Sequence, residues 1–128
     1  MEEMQDKLSV IFALQKSLDD DIAARRGLEH ISPEEWIQRD VLAITAELGE
    51  LLSEVNFKWW KNPKPIDSAA VKEELVDVLH FFISMCIRAG MNADELFEGY
   101  IAKNKENFDR QYGRSLKKGY DISEQKPV

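Results

Sequence analysis

Residues 32–60 read SPEEWIQRDVLAITAELGELLSEVNFKWW, and how this stretch is read decides the fold. Ser32 can cap a helix, Pro33 suits the first helical position because its missing N–H would be unpaired there anyway, and Glu35 completes a capping box. Val41, Ile44, Leu48, Leu51, Leu52 and Val55 then recur at helical spacing, and the strict alternation of a strand is missing. A long helix to about Trp60 is the expectation. Its acidic side chains Glu47, Glu50 and Glu54 are three and four apart, which at ~100° per residue confines them to a stripe about 60° wide beside the apolar set.

Working outward, the same period appears three more times. A first helix is expected over residues 3–26, with Leu8, Ile11, Phe12, Gln15, Leu18 and Ile22 on one face and Gly27 as its stop. Asn62-Pro63-Lys64-Pro65 reads as a loop, since proline restricts itself and its predecessor. A third helix follows from Ser68 to Ala89, ending at Gly90, and Asn92 with Glu95 opens a fourth that runs to about Tyr112. The class is therefore all-α, a four-helix bundle-like domain over residues 1–113, with a polar, flexible tail over residues 114–128. The third helix carries Leu75, Val76, Val78, Leu79, Phe81, Phe82, Ile83, Met85, Cys86 and Ile87 around most of its circumference. It is expected to be central, and in a short chain so apolar a helix also points to a homo-oligomer.

Composition excludes other readings. With 128 residues and 44% hydrophobic side chains one domain with a real core is expected. The single cysteine, Cys86, cannot form an internal disulfide or a zinc cluster, which fits a cytoplasmic protein and a packing role for that residue. Neither a secretory leader nor a stretch of ~20 apolar residues is visible, so no membrane partner is expected. The formal charge of −7 is uneven: residues 1–102 carry 20 acidic and 10 basic side chains, whereas residues 103–118 carry 6 basic and 2 acidic. An acidic body disfavours nucleic acid but suits a metal ion, and the basic stretch suits phosphate.

On the third helix Glu73, Glu74 and Asp77 also flank the apolar face. Acidic residues that merely solubilise a helix often have a cation four positions on. Here Glu47 is followed at that spacing by Leu51, Glu50 by Glu54 and Glu73 by Asp77, and like charges at this spacing weaken a helix. If the second and third helices pack antiparallel, Glu47, Glu50, Glu74 and Asp77 face one another. Four partly buried carboxylates cannot all stay ionised without a cation, and an all-oxygen set selects a hard ion, Mg²⁺ or Mn²⁺.

At these residues the chain resembles a known family. Ala46-Glu47-Leu48-Gly49-Glu50-Leu51 followed by Glu74-Leu75-Val76-Asp77 is similar to the paired ExxE and ExxD motifs of the all-α nucleoside triphosphate pyrophosphatases, the MazG-like superfamily, and most of all to the dimeric dUTPases. Phe12–Asp19, Phe57–Lys61, Asp77–Phe81 and Tyr100–Gln111 extend the likeness over residues 8–112. The resemblance implies hydrolysis of dUTP to dUMP and pyrophosphate with Mg²⁺, Mn²⁺ being a possible substitute. It implies that Glu47, Glu50, Glu74 and Asp77 hold the metal, and that Glu47 or Glu50 also positions or deprotonates the attacking water. Lys103, Asn107 and Arg110 match the phosphate-contacting segment, with Lys61 beside them as a substrate contact. Gln15 and Asn104 are candidates for the base or sugar edge, because an amide both donates and accepts; surface solubility or a helix-end hydrogen bond remain as alternatives. Trp59 is a candidate for stacking on the base. His80 is a candidate for touching substrate or orienting a carboxylate, or it fills a structural role.

The expected partners are thus a small nucleotide and further copies of the chain, as a dimer or a dimer of dimers. Two other readings stay open: a related pyrophosphatase acting on dCTP or modified nucleotides, and a non-enzymatic four-helix interaction or metal-binding protein. A di-iron bundle is disfavoured, since no Glu-x-x-His pair stands on the expected helices.

Overall fold

A computed structural model describes residues 6–127. Four helices follow in order, α1 Lys7–Arg26, α2 Pro33–Glu54, α3 Ser68–Arg88 and α4 Ala93–Gln111, with a single 3₁₀ turn at Ile122–Glu124. No strand occurs among the described residues, so the class is all-α. No described helix is long and apolar enough to cross a membrane. The chain divides into two compact units, the first running through Asn92 and holding α1–α3, the second beginning at Ala93.

Local chemistry accounts for the helix ends. Asp6 caps α1 by accepting from the Ser9 backbone N–H at 2.9 Å and the Ser9 hydroxyl at 2.8 Å; the expected start at residue 3 lies outside the described residues. Gly27, at φ 64°, closes the helix in the left-handed conformation that a side chain would resist. Ser32 accepts from the Glu35 N–H at 3.2 Å with Pro33 at the first position, as its sequence predicts. Asp67 caps α3 through the N–H groups of Ala69 and Ala70.

The far end of α2 departs from expectation. The helix stops at Glu54, not near Trp60, and residues 55–67 form the connection. Asn56 takes φ 57°, and its side chain clasps the backbone of Lys64 twice, donating to the carbonyl and accepting from the N–H, both at 2.8 Å. Those two bonds replace the helical ones that α2 would otherwise continue. Phe57, Trp59 and Trp60 are carried out on the resulting loop, their rings meeting edge to face.

Within the first unit α3 packs against both α1 and α2, most extensively against α2. Ile83, 1% exposed, is the best-buried large side chain, with Cys86, Phe12, Ala23 and Ile31 around the core. The only buried residue of α2 is Asp40, a carboxylate where packing alone would place an aliphatic group.

In the second unit the segment after α4 is bound to that helix. Ser115 donates to Glu106, which also receives Arg110 Nε at 3.0 Å. Arg114 and Lys105 both donate to Asp109, and Tyr120 lies under the Arg110 guanidinium at 5.4 Å. Gly113 takes φ 72° and has the Asp121 carboxylate 2.5 Å from where a Cβ would stand, so a larger residue there would be strained and would displace that side chain.

Candidate active site

Two contacts fix how α2 and α3 run. Trp36, near the start of α2, lies under the guanidinium of Arg88, at the end of α3, at 4.7 Å, whereas Glu47 and Glu50 further along α2 meet Glu74 near the start of α3. The helices are therefore antiparallel, and the carboxylates of Glu47, Glu50 and Glu74 come within 4.8 Å of one another.

Glu47 Oε2 and Glu74 Oε2 are both buried without a hydrogen-bond partner. Ionised carboxylates only accept, so two of them face to face leave each other unsatisfied. A hydrogen bond with Glu47, which Glu74 can make only by keeping a proton, pushes the Glu74 carboxyl up to about 7, helped by desolvation and the charge of Glu50. Unpartnered buried oxygens and closely spaced hard donors are the conditions a divalent cation relieves, so the residues fit Mg²⁺ or Mn²⁺. Asp77 stands one turn along α3 from Glu74, outside this closest set, and faces the adjoining cavity together with Glu47.

That cavity, about 490 Å³, is lined by residues of α1, α2 and α3, with Glu47 among them. Gln15, expected to read a base or sugar, does line it, but both ends of its amide are engaged. Its Nε2 donates to Asp19 Oδ1 at 2.9 Å and its Oε1 lies 2.7 Å from His80 Nδ1. Because an ionised Asp19 can only accept, the Gln15 carbonyl faces His80 and takes a proton from Nδ1, and in the neutral ring this leaves Nε2 as an acceptor. Ser84 donates to the other Asp19 oxygen at 2.8 Å. Gln15 thus acts through His80.

The remaining candidates belong to other segments of the chain. Trp59, 86% exposed, and Lys61 belong to the 55–67 loop, where Ser53, Asn56, Lys58, Lys61 and Lys64 line a pocket of about 160 Å³. Lys103, Asn104 and Asn107 are exposed on α4, and Arg110 is ion-paired with Glu106.

Sequence reasoning missed Asp19, Asp40, Ser84 and Arg88, and left Trp36 unassigned; all line the cavity. A signal existed. Asp40 precedes Glu47 by seven residues and Ser84 follows Asp77 by seven, so each extends its stripe by two turns along the same face. Burial raises the Asp40 carboxyl above the usual range against the pull of the Ser84 hydroxyl; the Asp19 charge adds to the rise and Arg88 opposes it.

Comparison with known sequences bears on this arrangement. The profile of the dUTPase family matches residues 7–92. The chain belongs to the dUTPase family. Its relatives include a dCTP pyrophosphatase of Enterobacteria phage T4, 51% identical over 47 residues, which are 37% of this chain and 28% of that protein. Another dCTP pyrophosphatase, of Enterobacteria phage LZ5, is 36% identical over 74 residues, 58% of this chain and 43% of that protein. A DNA replication protein of phage T4 is 49% identical over 41 residues, 32% of this chain and 10% of its own length. The matched stretches thus span less than half of each relative. The family match covers all three helices that build the carboxylate cluster and the cavity.

Proposed function

We propose that the chain is a nucleoside triphosphate pyrophosphatase that cleaves a pyrimidine deoxynucleoside triphosphate to its monophosphate and pyrophosphate with a divalent metal, Mg²⁺ before Mn²⁺. The convergence of Glu47, Glu50 and Glu74, with buried oxygens left unpartnered, beside a cavity of about 490 Å³ that Glu47 also lines, carries this reading. When bound, Mg²⁺ offsets phosphate charge and acidifies water. Glu47, Glu50 and Glu74 are the ligands, with Asp77 close by on the cavity side. Glu50, the most exposed of the three, orients and deprotonates the attacking water. His80 presents Nε2 to the bound nucleoside. Lys58, Lys61 and Lys64, just beyond the end of α2, draw the phosphate chain toward the metal, with Lys103, Asn107 and Arg110 assigned to phosphate by resemblance.

The family favours dUTP as substrate, and the two relatives named dCTP pyrophosphatase favour dCTP as the second reading. The proposal extends to a homo-oligomer. Leu14 on α1, Leu42 on α2 and Val76 on α3 are 66%, 70% and 54% exposed, more apolar surface than a monomeric helix face commonly leaves to water. Incubating the purified chain with each deoxynucleoside triphosphate and Mg²⁺ tests the enzymatic reading, pyrophosphate and monophosphate being expected in equal amounts from a pyrimidine substrate. If Glu50→Gln keeps the fold and releases pyrophosphate as fast as the parent, the assignment of the cluster is wrong.

A further inference from the structure

The lining of the cavity holds polar groups that neither the fold nor the carboxylate cluster uses. Asp40 is 6% exposed, and its Oδ2 is buried with no hydrogen-bond partner. Arg88 Nε, in the same lining, is likewise buried and unpartnered, although its guanidinium is stacked on Trp36. The Ser84 hydroxyl is given to Asp19 and Gln15 is spent on Asp19 and His80. Once those bonds are assigned, three directed functions remain: an acceptor at Asp40 Oδ2, an acceptor at His80 Nε2 and a donor at Arg88 Nε.

Pyrimidines differ in how they match that set. The outer edge of cytosine carries an amino group with two N–H donors, next to the ring N3 and the 2-carbonyl, both acceptors. Uracil offers one N–H between two carbonyls. Two acceptors and a donor match both amino hydrogens of cytosine and one of its two acceptors, whereas uracil, with a single N–H, leaves one acceptor facing a carbonyl lone pair. A buried polar group left unpaired is what gives a site its discrimination.

From this pairing we infer that Asp40 is the specificity-determining residue of the cavity, and that with His80 it recognises the exocyclic amine of cytosine, making dCTP the preferred substrate over dUTP. The inference rests on the pyrophosphatase reading and decides between its two substrates. Arg88 supplies the hydrogen bond to the carbonyl side of the same base. Gln15 and Asp19 are positioning residues, since they hold the neutral His80 ring in the tautomer whose Nε2 accepts.

The test compares kcat/KM for dCTP and dUTP in the full chain and in Asp40→Asn and Asp40→Ser, with Mg²⁺ at neutral pH, together with calorimetric binding of dCMP and dUMP. The parent is expected to favour dCTP by about tenfold or more. The amide that Asp40→Asn introduces can turn an N–H toward a 4-carbonyl, so this variant is expected to bring the ratio to about one or invert it; Asp40→Ser is expected to weaken dCMP binding more than dUMP binding. Variants are first checked for helicity and thermal unfolding. A parent that prefers dUTP, or a folded Asp40→Asn with an unchanged ratio, overturns the inference and leaves the pyrophosphatase intact. A loss of stability with the ratio unchanged would mark Asp40 as a structural partner of Arg88, also against the inference. Absence of pyrophosphate from both nucleotides would sink the enzymatic reading itself.

Discussion

A single carboxylate, Asp19, sets the chemistry of the cavity although it is far in sequence from most of what it controls. Accepting from both Ser84 and Gln15, it turns the Gln15 carbonyl toward His80 and holds the proton on Nδ1. An amide in its place would offer an N–H of its own and free Gln15 to flip. In Asp19→Asn the nitrogen chemical shifts of the His80 ring are therefore expected to move away from the Nδ1–H form, with kcat/KM down by about tenfold or more; unchanged shifts would contradict the chain of donors. Glu74 yields a prediction on pH. Its folded value of about 7 lies above its ordinary 4.5, so the folded state holds the proton more tightly than the unfolded chain does. In chelator, the Glu74 contribution to stability is expected to be fully present below about pH 4.5 and to be lost as pH rises through 7, so the difference in stability between the parent and Glu74→Gln should change over that window. Added Mg²⁺ should flatten that decline, read from urea midpoints at several pH values. Glu47, Glu50 and Glu74 were legible because like charges at helical spacing are conspicuous. Asp19 was not, because the first of three consecutive aspartates looks the same whether it solubilises a surface or lines a cavity, and Asp40 was marked only by its seven-residue spacing from Glu47.

At the scale of elements, helix beginnings are local and one helix end is not. Ser32 and Gly27 declare themselves through side-chain size and donor supply next to the turn they close. Replacing Ser32 with Ala is expected to cost about 1 kcal/mol in chemical denaturation. The stop of α2 escapes such a reading, since Phe57, Trp59 and Trp60 continue an apolar pattern and the first proline comes at position 63. What ends the helix is the clasp between Asn56 and Lys64, eight residues on, a pairing that a window of sequence does not display. Asn56→Ala loses both bonds and keeps an unfavourable φ, and about 1–3 kcal/mol of destabilisation is expected. Faster amide exchange confined to residues 55–67 would accompany it. Asn56→Gly relieves the backbone alone and should fall between that variant and the parent.

For the whole molecule, the exposed Leu14, Leu42 and Val76 set the expectation of self-association. Sedimentation equilibrium should find a dimer or larger, and Leu42→Glu should lower the assembly or weaken it. The all-α class and the carboxylates that converge were readable from the chain, but the division at Ala93 was not: Gly90 and Asn92 look like any short interhelical turn. The acidic side chains behind the −7 charge are spread over all four helices, and what sets α2 and α3 apart is that Glu47, Glu50 and Glu74 converge. The most direct measurement is the pyrophosphate released from dCTP and dUTP by the purified chain, with Mg²⁺ and with chelator, beside Glu50→Gln. Release is expected to need the metal, to be greater from dCTP, and to collapse by about a hundredfold or more in the variant. Equal release with chelator, or a folded Glu50→Gln of undiminished activity, would contradict a metal-dependent pyrophosphatase built on this cluster.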